Sequence, residues 1–294
     1  MRVFLVRTLL RLLARASLPA LHATGRLIGT CLWLIPNRLR TVTEINLALC
    51  YPDKDAAWRN ALGRTSLIET GKSICELAAL WRWPVARIDS LVVECQGWEH
   101  IEQARQQQRG LILLTPHCGC WELLGVYVPQ RMPMTAMYRP PRDPGFEPLL
   151  REIRERAGAR LVPTTTHGIR ALYKALGAGE SIILLPDQEP RKGAGVFAPF
   201  FGTQAYTMVL SSRLARKTEA AIVILCMERL PRGRGYRLHV RPLDTAIRDA
   251  DPVIAATAAN HSVEQTIDIN PAQYMWNYKR FRRKPQGQDR RYNR

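Results

Sequence analysis

The sequence has no C-x-x-C pair, no second cysteine–histidine cluster beyond the one at 117–120, no acidic residue in its first forty positions and no internal repeat. Its seven cysteines (Cys31, Cys50, Cys75, Cys95, Cys118, Cys120 and Cys226) are odd in number and sit mostly among apolar neighbours. That pattern argues against a disulfide framework and for cysteine used as a small apolar residue in a reducing compartment. A zinc site needs about four well-spaced ligands. His117 with Cys118 and Cys120 finds no partners elsewhere, so no metal is expected. The N-terminal apolar stretch 18–35 approaches a spanning length, but Pro19, His22, Gly25, Arg26 and Gly29 interrupt it. Its unbroken part, 27–35, is too short to cross a bilayer. A cleaved signal peptide fits poorly as well, because Arg7 and Arg11 break the apolar region it requires.

What is present is positive charge, concentrated at the ends. Of a net +18, residues 1–40 carry seven arginines, and residues 279–294 carry eight basic residues against Asp289 alone. The body between them is close to neutral. Nucleic-acid binding would call for base-stacking aromatics interleaved with the charge. The N-terminal arginines lie among leucines instead, so the expected partners are anionic membrane lipids and no nucleic acid. A non-catalytic membrane- or nucleic-acid-binding protein is the alternative of another class, since Trp276, Tyr278 and Phe281 do neighbour the C-terminal charges. Residues 3–18 read as a helix with Arg7, Arg11 and Arg15 on one stripe and apolar residues around the rest, the pattern of a helix lying in a membrane interface. Residues 1–40 are therefore expected to anchor the chain to a membrane, with 41–285 as the main domain and 286–294 as a basic disordered tail.

At 294 residues the chain can bury one large core or two smaller ones. Helical patterns at 55–80, 98–108, 118–127, 146–156, 168–176 and 206–217 alternate with strand-like runs at 91–95, 111–115, 134–138, 181–185, 220–229 and 236–241. Strands that are apolar throughout and separated by helices imply an α/β fold whose sheet is covered on both faces.

In such sheets the chemistry lies beyond the C-terminal ends of strands. Two buried runs end in polar residues there: 111–115 leads into Pro116-His117, and 181–185 into Pro186-Asp187. Glu122 stands five residues after His117. On one continuous helix that spacing would turn the two side chains roughly 140° apart. They can meet only if His117 precedes the helix, an entry that Pro116 and Gly119 permit. A Glu122 carboxylate on His117 Nδ1 would then fix the tautomer and leave Nε2 as a general base toward a substrate hydroxyl. The competing reading makes Cys118 or Cys120 a nucleophile activated by His117.

TPHCGCWE at 115–122 resembles the H-x4-D/E signature of the glycerolipid acyltransferase superfamily. Five further segments are similar to the late acyltransferases of lipid A biosynthesis, the lauroyl/myristoyl type: INLALCYP (45–52), YRPPRDP (138–144), GIRALYKALGAGESIILLPDQEP (168–190), GVFAPFFG (195–202) and PAQYMWNYKRFRRKP (271–285). The resemblance implies a mixed central sheet covered by helices, with N-terminal membrane-associating helices on the cytoplasmic face of the inner membrane. It implies transfer of an acyl chain from acyl carrier protein thioester to a hydroxyl of a lipid A precursor, without a cofactor. Another glycolipid or a lysophospholipid is the alternative acceptor. By the same resemblance His117 is the general base and Glu122 its partner. Arg154 and Asp187 belong to the acceptor and catalytic pocket, while Arg139 and Arg170 fall at basic positions suited to phosphates. Phe200 and Phe201 are candidates for an acyl channel. Lys279, Arg280, Arg282, Arg283 and Lys284 are candidates for docking the acidic carrier or anionic headgroups. The segment DQEP departs from the commoner D-x-D/E-x-G form, with Pro190 at a position that is usually flexible.

Overall fold

The two runs read as buried strands lie side by side in the middle of a seven-stranded sheet. The computed structural model describes residues 2–107, 109–141, 143–287 and 291–292. Its helices are α1 (Arg2–Leu13), α2 (Leu18–Leu34), α3 (Arg38–Cys50), α4 (Ala56–Arg82), α5 (Val85–Asp89), α6 (Glu99–Gln106), α7 (Trp121–Tyr127), α8 (Glu147–Glu155), α9 (Thr166–Gly177), α10 (Leu210–Thr218) and α11 (Pro252–Ile267). Its strands are β1 (Val92–Gln96), β2 (Leu111–Leu114), β3 (Met134–Tyr138), β4 (Arg160–Pro163), β5 (Ser181–Leu184), β6 (Gly195–Phe200), β7 (Thr203–Met208), β8 (Ala221–Arg229) and β9 (Tyr236–Pro242). The sheet runs β1-β9-β8-β2-β5-β3-β4, and β6 with β7 forms a separate hairpin. From β8 to β4 all neighbours are parallel. β9 is antiparallel to β8 and parallel to β1, which makes the sheet mixed.

β2 is apolar at every position because its alternate side chains enter two cores. Leu111 and Leu113 face α2, α4, α6 and α7, whereas Ile112 and Leu114 face α3, α9, α10 and α11. Each fully buried leucine or isoleucine here contributes about 1.5–3 kcal/mol. α4, the longest helix, begins at an Asp55 cap that accepts the Trp58 N–H at 2.7 Å. Arg156 donates to the carbonyls of Leu80 and Trp83 and closes its far end.

α2 packs on α4 through glycines. A Cβ at Gly71 would stand 2.1 Å from the Gly25 carbonyl oxygen, and one at Gly29 would stand 2.3 Å from Ile68 Cα. Backbones this close require small residues at the crossing. With that face spent on α4, the other face of α2 leaves Leu27, Ile28, Leu34 and the following Ile35 exposed, together with Leu9 and Leu12 of α1. Among the described residues no single helix is long and apolar enough to cross a membrane; α2 and α3 pass the length and composition test only as a pair bent by 78°. The expected arginine stripe is split. Arg15 lies past the end of α1, and Arg7 is drawn to Glu152 of α8 at 2.8 Å, leaving Arg11 and Arg15 exposed.

The helix expected at 206–217 starts later than the sequence pattern suggests. Residues 203–208 form β7, paired to β6 with Phe197 opposite Tyr206, and α10 begins only at Leu210. Phe201 and Gly202, both with positive φ (48° and 73°), make the two-residue turn that folds one strand back on the other. Of the tail expected to be disordered, 288–290 and 293–294 lie outside the described residues. Tyr292 accepts the Phe281 N–H at 3.0 Å and donates to Asn46 Oδ1 at 2.5 Å.

Candidate active site

β2 and β5 are parallel neighbours in register, Leu114 opposite Leu184, so their exits run together. Thr115-Pro116-His117 and Leu185-Pro186-Asp187 leave the same sheet edge, and the buried Asp187 carboxylate lies under His117. Oδ2 accepts the His117 backbone N–H at 3.0 Å, and Oδ1 meets the ring Nδ1 at 2.8 Å. A carboxylate at Nδ1 places the ring proton there, so Nε2 is left as an acceptor, to which the Gln188 side-chain amide donates at 3.1 Å. Trp121 packs on the imidazole at 5.2 Å between ring centroids. Burial alone would raise the Asp187 carboxyl. The charge and two hydrogen bonds of His117, with the Arg280 charge, outweigh it and hold the group below the ordinary carboxylate range.

The loop carrying His117 is tied to the neighbouring chain. The His117 carbonyl accepts from Met275 N at 3.1 Å, Gly119 N donates to Gln273 O at 3.0 Å, and Cys120 N donates to Met227 O at 2.8 Å. Gly119 has φ +60°, and a Cβ there would fall 2.0 Å from Met227 O, so only glycine fits. Below this loop Arg229 is buried in a bidentate pair with Glu76 (both contacts 2.6 Å), bonds Glu69 at 2.7 Å and reaches the Gly119 carbonyl at 3.4 Å. His22 of α2 and Tyr236 of β9 also hold Glu76, at 2.5 and 2.8 Å. Every carboxylate in the cluster has a cation, as burial of charge demands.

His117 does precede its helix, as the spacing required; α7 opens at Trp121. The carboxylate on Nδ1, however, is that of Asp187, not Glu122. Glu122 sits in the first turn of α7 and pairs with Arg154 of α8. Two aligned strand exits bring Asp187 to the ring, while the helix start carries Glu122 toward its neighbour helix. Both members of the Glu122–Arg154 pair line the same cavity as His117, and Arg139 lines it from an exposed position. Arg170 is exposed on α9 and does not line the cavity. Phe200 and Phe201 belong to an aromatic cluster with Tyr51, Tyr274, Trp276 and Phe281 on the opposite sheet face, away from the cavity. Arg280, expected on a docking surface, is buried against Tyr206 O and Thr207 Oγ1 at 2.7 Å each. Gln188, Trp121, Gln273 and Arg229 complete the site without having been singled out. Gln188, Trp121 and Gln273 lie inside the segments quoted for the resemblance, but nothing local marks Arg229.

The cavity measures about 830 Å³ and runs beneath α7 and α8 along the sheet face formed by Met134, Ala136, Leu161 and Ile183 to Leu80 and Trp81. Met134 is level with Ser181, three residues before the strand end at Leu184, so the apolar floor reaches about 10 Å below the strand ends. One end is thus polar and the other hydrocarbon-like.

The sequence family of bacterial lipid A biosynthesis acyltransferases matches residues 1–283. The chain belongs to this family. It is an acyltransferase of lipid A biosynthesis. It is similar to three proteins of Escherichia coli K12: the lipid A biosynthesis lauroyltransferase (29% identity, covering 96% of this chain and 91% of the relative), the palmitoleoyltransferase (28%, 93% and 89%) and the myristoyltransferase (28%, 94% and 84%). In this acyltransferase the cysteines beside His117 are core residues. Cys118 touches Cys226 sulfur to sulfur at 3.8 Å, and that contact with burial pushes its thiol up; burial does the same to Cys120. Neither lines the cavity, so the cysteine-nucleophile alternative has no geometric support.

Proposed function

We propose that the enzyme moves a fatty acyl chain from acyl carrier protein thioester to a hydroxyl of a lipid A precursor, the hydroxyl of an existing 3-hydroxyacyl chain, with His117 as general base. The observation that carries this reading is the Asp187 carboxylate held at Nδ1 of His117, in a ring that lines a cavity with an apolar floor. The acceptor hydroxyl takes the place of the Gln188 amide at Nε2 and gives up its proton there as its oxygen attacks the thioester carbonyl. Asp187 stabilises the imidazolium that forms. Collapse of the tetrahedral intermediate breaks the C–S bond, and the imidazolium returns the proton to the departing thiolate. Such base catalysis contributes about 10²–10⁴-fold. Glu122 orients Arg154 toward the acceptor, and Arg139 at the rim suits its phosphate.

The acceptor is a membrane lipid, and we place the enzyme on the cytoplasmic face of the inner membrane. The exposed leucines and isoleucines of α1 and α2, with Arg11, Arg15 and Arg26 exposed among them, support interfacial docking. The test is acyl transfer by the purified protein in mixed micelles, read as the intact mass of the lipid product. The expected result is one added acyl chain, lost with His117→Ala. Near-wild-type transfer by His117→Ala would refute the mechanism, and an unchanged lipid mass would refute the acceptor.

A further inference from the structure

Apart from the buried Arg280, whose charge acts on Asp187, the basic C-terminal segment stands outside the catalytic cavity and builds a second concavity of about 810 Å³ against the β6–β7 hairpin. Lys192, Lys279, Arg282, Arg283 and Lys284 line it, and Phe197 with Tyr206 forms part of its wall. Lys279 sits over the Tyr292 ring at 5.2 Å and Arg283 over the Tyr206 ring at 5.0 Å, so aromatic faces hold two of the cations in place. No acidic residue is among the described lining residues. The carboxylate bonded to this segment is that of Glu189, whose side chain is wholly buried. It accepts the Arg283 N–H at 2.6 Å and Arg282 at 3.1 Å, while its own N–H donates to Tyr278 Oη at 3.0 Å. Six basic residues, Arg291 among them, line a concavity whose one bonded carboxylate among the described residues has a buried side chain.

Two observations identify the occupant. A headgroup-binding surface of a membrane enzyme would set apolar side chains beside its charges, and the exposed large apolar residues cluster on α1 and α2. None falls among the described residues of 186–210 or 274–292. The apolar part of the concavity's lining is aromatic, Phe197, Tyr206 and Tyr292, and two of these rings lie under cations, so positive charge is what the concavity presents to a partner. It also continues into the catalytic cavity along one strip of chain: Glu189, Pro190 and Arg191 line the cavity, and the next two residues, Lys192 and Gly193, line the concavity. The concavity and the catalytic cavity are therefore neighbours along residues 189–193.

We propose that this concavity docks the acidic carrier protein that delivers the acyl thioester, an inference that rests on the donor class given above. Rim charges of this kind act on encounter and on the salt dependence of binding more than on chemistry. Glu189 adds a mechanical link, because it fastens the Asp187–Gln188 strip to the docking segment.

The test is the double variant Lys192→Glu/Lys284→Glu of the full chain, assayed in mixed micelles with carrier-borne donor at low and moderate salt. The expected result is a rise in the donor KM of at least tenfold with kcat within twofold, and a KM that no longer climbs with salt. An unchanged KM, or a fall in kcat at fixed KM, overturns the proposal. So does loss of binding to phosphatidylglycerol vesicles with the donor KM preserved, which would make the concavity a lipid site. Failure of the parent reading is distinct, since the unaltered enzyme would then transfer nothing from the carrier-borne donor.

Discussion

Replacing Asp187 by asparagine separates the two carboxylates proposed for His117. In the native site Asp187 accepts two hydrogen bonds, from the His117 backbone N–H and from Nδ1. Asparagine offers one acceptor and one donor group. If its oxygen keeps the backbone N–H, its amide faces Nδ1 and drives the ring proton to Nε2, where it also meets the Gln188 amide, and the base is masked. If its oxygen keeps Nδ1, its amide opposes the backbone N–H and leaves a buried donor unpaired, at a cost of about 1–3 kcal/mol. Either way the anion that stabilises the imidazolium is gone. The expected loss in kcat is about 10³–10⁴-fold, or about 4–5.5 kcal/mol at 1.36 kcal/mol per decade.

The pH profile decides between the residues. Without a carboxylate at Nδ1 the imidazolium is less favoured, so the acidic limb of kcat moves to lower pH in Asp187→Asn. Glu122→Gln deprives Arg154 of its partner and also lowers turnover, but leaves that limb in place. The assay is steady-state transfer in mixed micelles from pH 5 to 9. A limb that moves in Glu122→Gln and stays fixed in Asp187→Asn would refute the assignment of Asp187 as the ring partner.

Gly125 lines the cavity, and a Cβ there meets nothing within 4 Å. Gly125→Leu is therefore expected to fold and to transfer shorter acyl chains, each excluded methylene costing about 1–3 kcal/mol, as read by lipid product mass. Gly71→Ala forces α2 off α4 and should destabilise by about 1–3 kcal/mol in denaturant unfolding, whereas Gly177→Ala, which meets nothing within 4 Å, should not destabilise. Arg229→Met leaves Glu76 buried without its main cation and should cost about 3–5 kcal/mol. The double variant Arg229→Met/Glu76→Gln should cost less than the sum of the two single changes, by the same measurement. Burial raises the Glu76 carboxyl, but Arg229 and His22 outweigh it and bring it to about 2 from an ordinary 4.5. A depressed carboxyl contributes stability above its unfolded value and loses it on protonation. Unfolding free energy should fall as pH drops from 4.5 toward 2, and Glu76→Gln should flatten that fall.

The elements legible in the sequence are those whose signals are local. β2 is an unbroken apolar run and β5 is apolar after Ser181, each followed within two residues by proline, and α4 announces itself with an aspartate cap and a tryptophan–proline stop. β7 was hidden because its meaning depends on the turn at Phe201-Gly202 and on pairing with β6, which a helical reading of 206–217 overrides. β4 and α11 also escaped notice. β4 has four residues, and α11 is alanine-rich with little contrast between its faces. At the site, His117, Asp187 and Arg154 were named, but their pairing was not, because which carboxylate reaches which ring nitrogen depends on strand order. β2 and β5 are about seventy residues apart in sequence and adjacent only in the sheet. Arg229 had no local signal, and Gln273, though inside the segment 271–285, had none for its role, for the same reason: each acts on the His117 loop across a tertiary contact.

That pairing changes what the five-residue spacing accomplishes. Asp187 grips both the backbone and the ring of His117, so the His117 ring is hydrogen-bonded from two strands of the central sheet and only packed upon by α7. A base mounted on its helix would shift whenever the helix shifted. Here α7 and α8, joined through Glu122 and Arg154, form the cavity roof. The roof still touches the base, because Trp121, the first residue of α7, packs on the imidazole. The spacing from His117 to Glu122 thus places the Glu122–Arg154 pair in the roof of the cavity that His117 lines, while Asp187 holds the ring from the sheet.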